Sequence, residues 1–210
     1  MNLRILSLAI ILIGAFAVSS KAQQNLVSNG GFETDNFDGW TTQNAPDGSD
    51  FGVTTTMPYE GTYSAEFGGV SNQFDYISQA LDTVIGTTYY VSFELANDQT
   101  DNEFLANIGG VLQDTPAGVS AGGVDNYIKG GTTYLDLVNT PTVPYSQYQT
   151  SFTATSSTTN LIFGGYNVPS FYYLDDVVVV PEPSQYGLLV FLAVVGFIGW
   201  RRFSCSSLTI

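Results

Sequence analysis

The sequence predicts an all-β fold, an antiparallel β-sandwich, on three observations. Gly, Thr, Ser, Asn, Tyr and Phe dominate residues 23–183, and long runs with a 3.6-residue apolar period are absent. Short segments alternate apolar and polar residues, and turn-forming clusters separate them. Aromatic residues make up 14% of the chain, enough to fill the space between two sheets.

The elements follow in chain order. Trp40, after Asp38 and Gly39, is expected to anchor the core. Tyr63, Ala65 and Phe67 alternate with Ser64 and Glu66. In 88–95, Tyr89, Val91, Phe93 and Leu95 face one way, and Thr88, Tyr90, Ser92 and Glu94 face the other. Phe104, Ala106 and Ile108 alternate ahead of Gly109-Gly110, a hairpin-turn signal. Phe152 and Ala154 start a further strand, and 161–163 and 171–180 supply the last two. Asp47-Gly48-Ser49, Asn97-Asp98, Gly122-Gly123 and Gly130-Gly131 mark turns.

Composition removes several function classes. The 210 residues include no histidine and one cysteine. Imidazole bases, Ser-His triads, histidine-ligated metals, internal disulfides and cysteine zinc clusters are therefore excluded. The formal charge is −14. Four of the five basic residues sit at the ends, leaving Lys129 against 19 acids, so the central domain carries −18. Such a surface repels nucleic acid, and its self-repulsion favours an ionic medium or bound cations.

The two ends read as addresses. Residues 1–22 form a secretory signal peptide: Arg4, an apolar run over 5–18, and Ser20-Lys21-Ala22 with small residues at the cleavage positions. Residues 186–200 form an uncharged apolar run, marginal for a transmembrane helix, and Arg201 and Arg202 follow as a basic stop. Pro181-Glu182-Pro183 stands just before it, and its prolines hold the segment extended. This tail, 181–210, resembles the PEP-CTERM sorting signal of Gram-negative bacteria. The resemblance implies recognition by an exosortase-type membrane protease and transient anchoring in the inner membrane. It also implies delivery of the exported protein to the cell envelope or an extracellular polysaccharide matrix.

The domain between, 23–180, carries a second set of matching segments. These are Asn25-Leu26-Val27-Ser28-Asn29-Gly30-Gly31-Phe32-Glu33 with Gly39-Trp40, and Gly61-Thr62-Tyr63-Ser64-Ala65. Ile77-Ser78-Gln79 leading to Gly86-Thr87-Thr88-Tyr89-Tyr90-Val91-Ser92-Phe93, and Phe171-Tyr172-Tyr173-Leu174-Asp175-Asp176-Val177, complete the set. Together they resemble a carbohydrate-binding-module jelly roll of the galactose-binding-like type. The resemblance implies a structural Ca²⁺ between the first and last strands, with Glu33, Asp175 and Asp176 as candidate ligands. Ca²⁺ takes six to eight oxygens from carboxylates and carbonyls. Strand parity sends Asp175 and Asp176 to opposite faces unless a bulge intervenes, and the resemblance leans to Asp175.

Other candidates weigh less. The acidic stretch 97–103 lacks the glycine of a calcium loop and reads as a solvated hairpin loop. Tyr59, Tyr76, Tyr90, Tyr127, Tyr145 and Tyr172 are available as faces for a sugar ring, with packing the commoner role of a tyrosine. Carboxylates are numerous, but no spacing marks a catalytic pair, and nucleophile-elbow, phosphate-loop and dinucleotide motifs are absent. The expected function is non-catalytic: an exported sandwich that binds or resides in extracellular polysaccharide. The alternatives are a structural surface protein that associates with itself or with envelope proteins, and a weak glycoside hydrolase.

Overall fold

The computed structural model describes residues 23–45, 49–68, 73–99, 101–113 and 128–182. Twelve strands run through them. The first six are β1 (Thr41–Gln43), β2 (Gly52–Thr54), β3 (Ser64–Phe67), β4 (Asp75–Asp82), β5 (Thr88–Asn97) and β6 (Asp101–Ile108). The rest are β7 (Val111–Leu112), β8 (Ile128–Lys129), β9 (Thr132–Val138), β10 (Val143–Thr153), β11 (Thr158–Val168) and β12 (Tyr172–Pro181). One five-stranded sheet has the order β1-β4-β11-β6-β9, the other β10-β5-β12-β3-β2. Every pairing is antiparallel. The all-β sandwich is as the sequence predicts, and Gln24–Glu182 holds it as one unit.

Alternation builds the core. Tyr89, Val91, Phe93 and Leu95 of β5 point inward and are buried, as expected, alongside Ala65 and Phe67 of β3. They meet Phe104, Ala106 and Ile108 of β6 and Leu161 and Phe163 of β11 from the opposite sheet. Phe163 lies at the centre, with ring centroids 4.9 Å from Phe93, 6.1 Å from Trp40 and 6.1 Å from Phe104. The edge-to-face approach to Phe93 sets a positive ring edge on a negative face. Trp40 is 8% exposed and donates its indole N–H to the Asn29 carbonyl at 3.1 Å, which closes the N-terminal segment onto this core.

Three local expectations are corrected. Gly109-Gly110 does not close a hairpin, because β6 pairs with β9 and β11 while β7 pairs with β8. The pairs Ile108 with Thr132 and Val111 with Lys129 share one register, so β6–β7 and β8–β9 form one long ribbon. It breaks where Gly109 and Gly110 oppose Gly130 and Gly131, at φ values of 83°, 75° and 69° for Gly109, Gly130 and Gly131. A Cβ on Gly131 would overlap the Gly110 nitrogen, so only glycine lets the two backbones cross this closely. The kinked tip brings Leu112 and Ile128 onto a second apolar cluster of Phe74, Tyr76, Leu105, Ile162 and Tyr166.

Phe152 and Ala154 do not open a strand. Phe152 stands near the end of β10, whose first half carries Pro144 and no clean apolar–polar alternation, which hides its strand character. The stretch 97–103 is not a solvated hairpin loop either, since β5 and β6 belong to different sheets. Asn97 and Asn102 are 2% and 0% exposed. Asn102 Oδ1 accepts from the Thr140 N–H at 3.0 Å and the Tyr172 hydroxyl at 2.6 Å, tying the crossover to both sheets. Polar side chains turn inward here because the crossover leaves backbone groups that only side chains can satisfy.

Asp75 is fully buried, accepting from the Ala45 N–H at 2.8 Å and the Ser49 hydroxyl. Burial pushes its carboxyl from 3.8 to about 6. The folded state then binds the proton more tightly than the unfolded state. Its contribution is therefore fully present below about pH 4 and lost as pH rises through 6, a change of roughly 3 kcal/mol. Denaturant titrations between pH 4 and 7 should show stability falling over that window. In Asp75→Asn the slope should shrink, because the amide satisfies both loop contacts without a charge.

Candidate functional site

One cleft gathers the predicted calcium ligands. Gly31, Glu33, Glu60, Gly61, Asp175 and Asp176 line a volume of about 210 Å³. Asp175 is 1% exposed. Its Oδ2 accepts from the Tyr59 and Glu60 N–H groups at 2.8 and 3.2 Å, and its Oδ1 from the Asp176 N–H at 2.7 Å. Burial raises its pKa, partly offset by these three donors. Glu33 is exposed and accepts from the Thr62 and Tyr63 N–H groups at 2.8 and 3.0 Å, both at Oε1. A Cβ on Gly61 would overlap that carboxylate, and one on Gly31 would stand 3.7 Å from Asp175 Oδ1.

A bulge brings both aspartates here. The β12–β5 register shifts between Asp175 and Val178, and Asp176 takes a φ of 47°. The Val177 N–H, released from the ladder, donates to the Gly30 carbonyl at 2.9 Å, which joins the last strand to the N-terminal segment. The parity that separates neighbouring side chains is thereby broken where the cleft lies. Among the described residues, no three carboxylates converge closely enough to hold a metal by themselves. A cation at this place would draw on one or two carboxylates plus backbone carbonyls of the glycine turns, a donor set that suits Ca²⁺.

Beside the cleft, the outer face of the β10-β5-β12-β3-β2 sheet carries Tyr90, Ser92 and Glu94 of β5, opposite Ser151, Gln149 and Gln147 of β10. Tyr59 is 46% exposed and packs on Tyr145, with ring centroids 5.3 Å apart. The Tyr145 hydroxyl donates to the Met57 carbonyl at 2.5 Å, which fixes its ring, and Asp175 holds the Tyr59 N–H, which fixes the backbone that presents the exposed ring. Glu94, Glu60 and Asp176 face the Tyr59 phenol and raise its pKa, Glu94 most. Burial raises Glu94 in turn, a hydrogen bond from Gln147 offsets part of this, and Asp176 adds to it.

The other tyrosines fall elsewhere. Tyr76 and Tyr172 are 0% and 1% exposed and serve packing. Tyr90 is half-buried, and Tyr127 lies outside the described residues. On the outer face of the β1-β4-β11-β6-β9 sheet, Phe74, Tyr76 and Tyr166 are 3%, 0% and 4% exposed, so none of these three offers a face to a sugar ring, while Tyr134 of β9 is 39% exposed.

Of the sorting residues, Pro181 is the last residue of β12, opposite Tyr89, and the Glu182 N–H donates to the Thr88 carbonyl at 2.9 Å. The start of the motif thus extends a strand, as its prolines allow. Pro183, Arg201, Arg202, the apolar run 186–200 and the signal peptide 1–22 lie outside the described residues. Among the described residues no helix is long and apolar enough to cross a membrane.

No protein-family model matches the sequence, and neither does any curated protein. Solved structures do match. A family 61 carbohydrate-binding module in complex with β-1,4-galactotriose superposes with a TM-score of 0.55 at 15% identity, over 76% of this chain and 99% of that one. The CBM22-1 xylan-binding domain of Paenibacillus barcinonensis Xyn10C gives 0.50 at 16% identity, over 79% and 99%. The enzymatically active domain of tailspike protein 4 of bacteriophage CBA120 gives 0.55 at 16%, over 75% of this chain and 21% of that one. The likeness establishes a jelly-roll fold shared with carbohydrate-binding modules and with part of an enzyme.

Proposed function

We propose that this chain is an exported, non-catalytic carbohydrate-binding protein, delivered to the cell envelope or its polysaccharide matrix by a PEP-CTERM tail that an exosortase-type protease processes. The observation that carries the binding is the Tyr59–Tyr145 pair: an exposed ring packed on a second ring, beside Glu60 and Asp176, with exposed Gln147 hydrogen-bonded to the buried Glu94 that also faces the Tyr59 phenol. A pyranose presents an apolar face to stack on such a ring and hydroxyls for carboxylates and amides to bind. Preorganised rings keep the ordering entropy of binding low. The acidic surroundings favour an uncharged glycan over a polyanionic one. Export and sorting rest on the two terminal segments of the sequence.

Calcium enters this reading as a structural ion. Glu33 and Asp175 would hold it together with backbone carbonyls of the glycine turns, and Asp176 lines the same cleft. It would lock the N-terminal segment, the 57–61 turn and β12 together, and so steady the loop that presents Tyr59.

Retention of the domain on neutral polysaccharides in affinity gels tests the binding. Tyr59→Ala is expected to weaken retention by about tenfold, equivalent to losing one stacking contact, without changing the fold. A domain retained by no polysaccharide, or a Tyr59→Ala variant retained as well as the parent, sinks the reading. Mass spectrometry of the native C-terminus tests the sorting: loss of the residues beyond about Pro183 is expected, and an intact Ile210 in the inner membrane refutes processing.

A further inference from the structure

The strands at the four sheet edges differ sharply. β1 and β2 are three residues each. β9 has seven, carries exposed Asp136, and is interrupted by a register shift opposite Ala106 and Asn107. β10 has eleven residues, Val143–Thr153, and none is charged. Pro144 and a register shift disturb its first turn only. From Ser146 to Thr153 it pairs with β5 residue by residue, so its other edge offers an equally regular row of backbone donors and acceptors. Among the described residues no strand pairs with that edge. Gln147, Gln149, Ser151 and Thr153 are exposed along it.

Proteins block open edges with charge, proline or bulges. This one confines those devices on its longest edge to the first residues of β10 and leaves Ser146–Thr153 without them. Charge narrows the choice of partner. The domain carries −18, so two copies repel over most of their surfaces. Apposition along β10 brings together two uncharged strands. An antiparallel pairing with its two-fold axis at Gln149 sets Gln147 opposite Ser151 and Tyr148 opposite Thr150. That register keeps Tyr148 and Phe152 on the core side in both copies, because an even offset preserves facing. A two-fold contact of this kind is closed and self-complementary.

We infer that β10 is a self-association edge, through which two copies join by antiparallel strand addition over Ser146–Thr153 into one continuous ten-stranded sheet. Self-association and glycan binding are independent properties of the domain: either can fail without the other.

Residues 23–182 contain the sandwich with both apolar clusters and exclude the sole cysteine, Cys205, which makes the test clean. Light scattering over a concentration series should show a monomer–dimer equilibrium that shifts to dimer with added salt, as repulsion is screened. Gln149→Glu places like charges across the two-fold axis and should weaken dimerisation by about tenfold or more with an unchanged circular dichroism spectrum. Gln149→Cys should form an intermolecular disulfide on mild oxidation, and Thr132→Cys on the β9 edge should not. A monomer at every concentration and salt, a dimer indifferent to Gln149→Glu, or preferential cross-linking at Thr132→Cys would each overturn the inference.

Discussion

Phe163→Ala is expected to destabilise the domain by about 3–5 kcal/mol, a large part of the roughly 5–15 kcal/mol that holds an ordinary domain together. The residue is fully buried and touches rings from both sheets and from the N-terminal segment. Truncation leaves a cavity that Phe93, Trp40 and Phe104 cannot fill together, because each is held from another side. Phe104 packs on Phe67 and Tyr172 at 5.5 and 5.1 Å, and Trp40 is tied to Asn29. Urea unfolding at fixed pH and salt measures the loss. Tyr134→Ala, on a ring 39% exposed, should change stability by no more than about 0.5 kcal/mol. Equal effects at the two positions would mean that the core is not centred on Phe163.

Calcium is expected to have the second large effect. With free ion at about a hundred times its dissociation constant, a site present only in the folded state adds about 2.7 kcal/mol. Thermal melts in EDTA and in calcium, at low and equal ionic strength, read this directly, and magnesium controls for charge screening. Glu33→Gln separates ligation from structure. Its amide oxygen still accepts the Thr62 and Tyr63 N–H groups, so the melt in EDTA should stay near the parent's, while the response to calcium should drop. Asp175→Asn should lower both, since three backbone donors depend on that buried carboxylate. Coincident parental melts with and without calcium would rule out a structural ion.

Several features are legible in the amino-acid sequence. The alternation in 88–95 reads directly as β5, because four inward apolar residues separated by polar ones fit a half-buried strand and nothing else. The motif around Glu33 and that around Asp175 point to one cleft, and the cleft holds both. Tyr59 is among the candidate sugar faces, but nothing in its sequence neighbourhood sets it above Tyr76. The first stands on an open turn and the second lies under Leu112 and Ile128, a difference made by the β7–β8 tip folding over the sheet.

What the sequence determined by itself was local: strand periodicity, most of the turn chemistry and the acidity of the domain. These depend on residues a few positions apart, or on sums over the chain. The tertiary structure alone decided the rest. The Asp176 bulge exists because Val177 leaves β5 to reach Gly30, the crossover asparagines are buried because β5 and β6 enter different sheets, and β10 is an open edge because no described strand follows it in its sheet. Each is a consequence of pairing between distant segments, and periodicity within one segment carries no information about which segment it will meet.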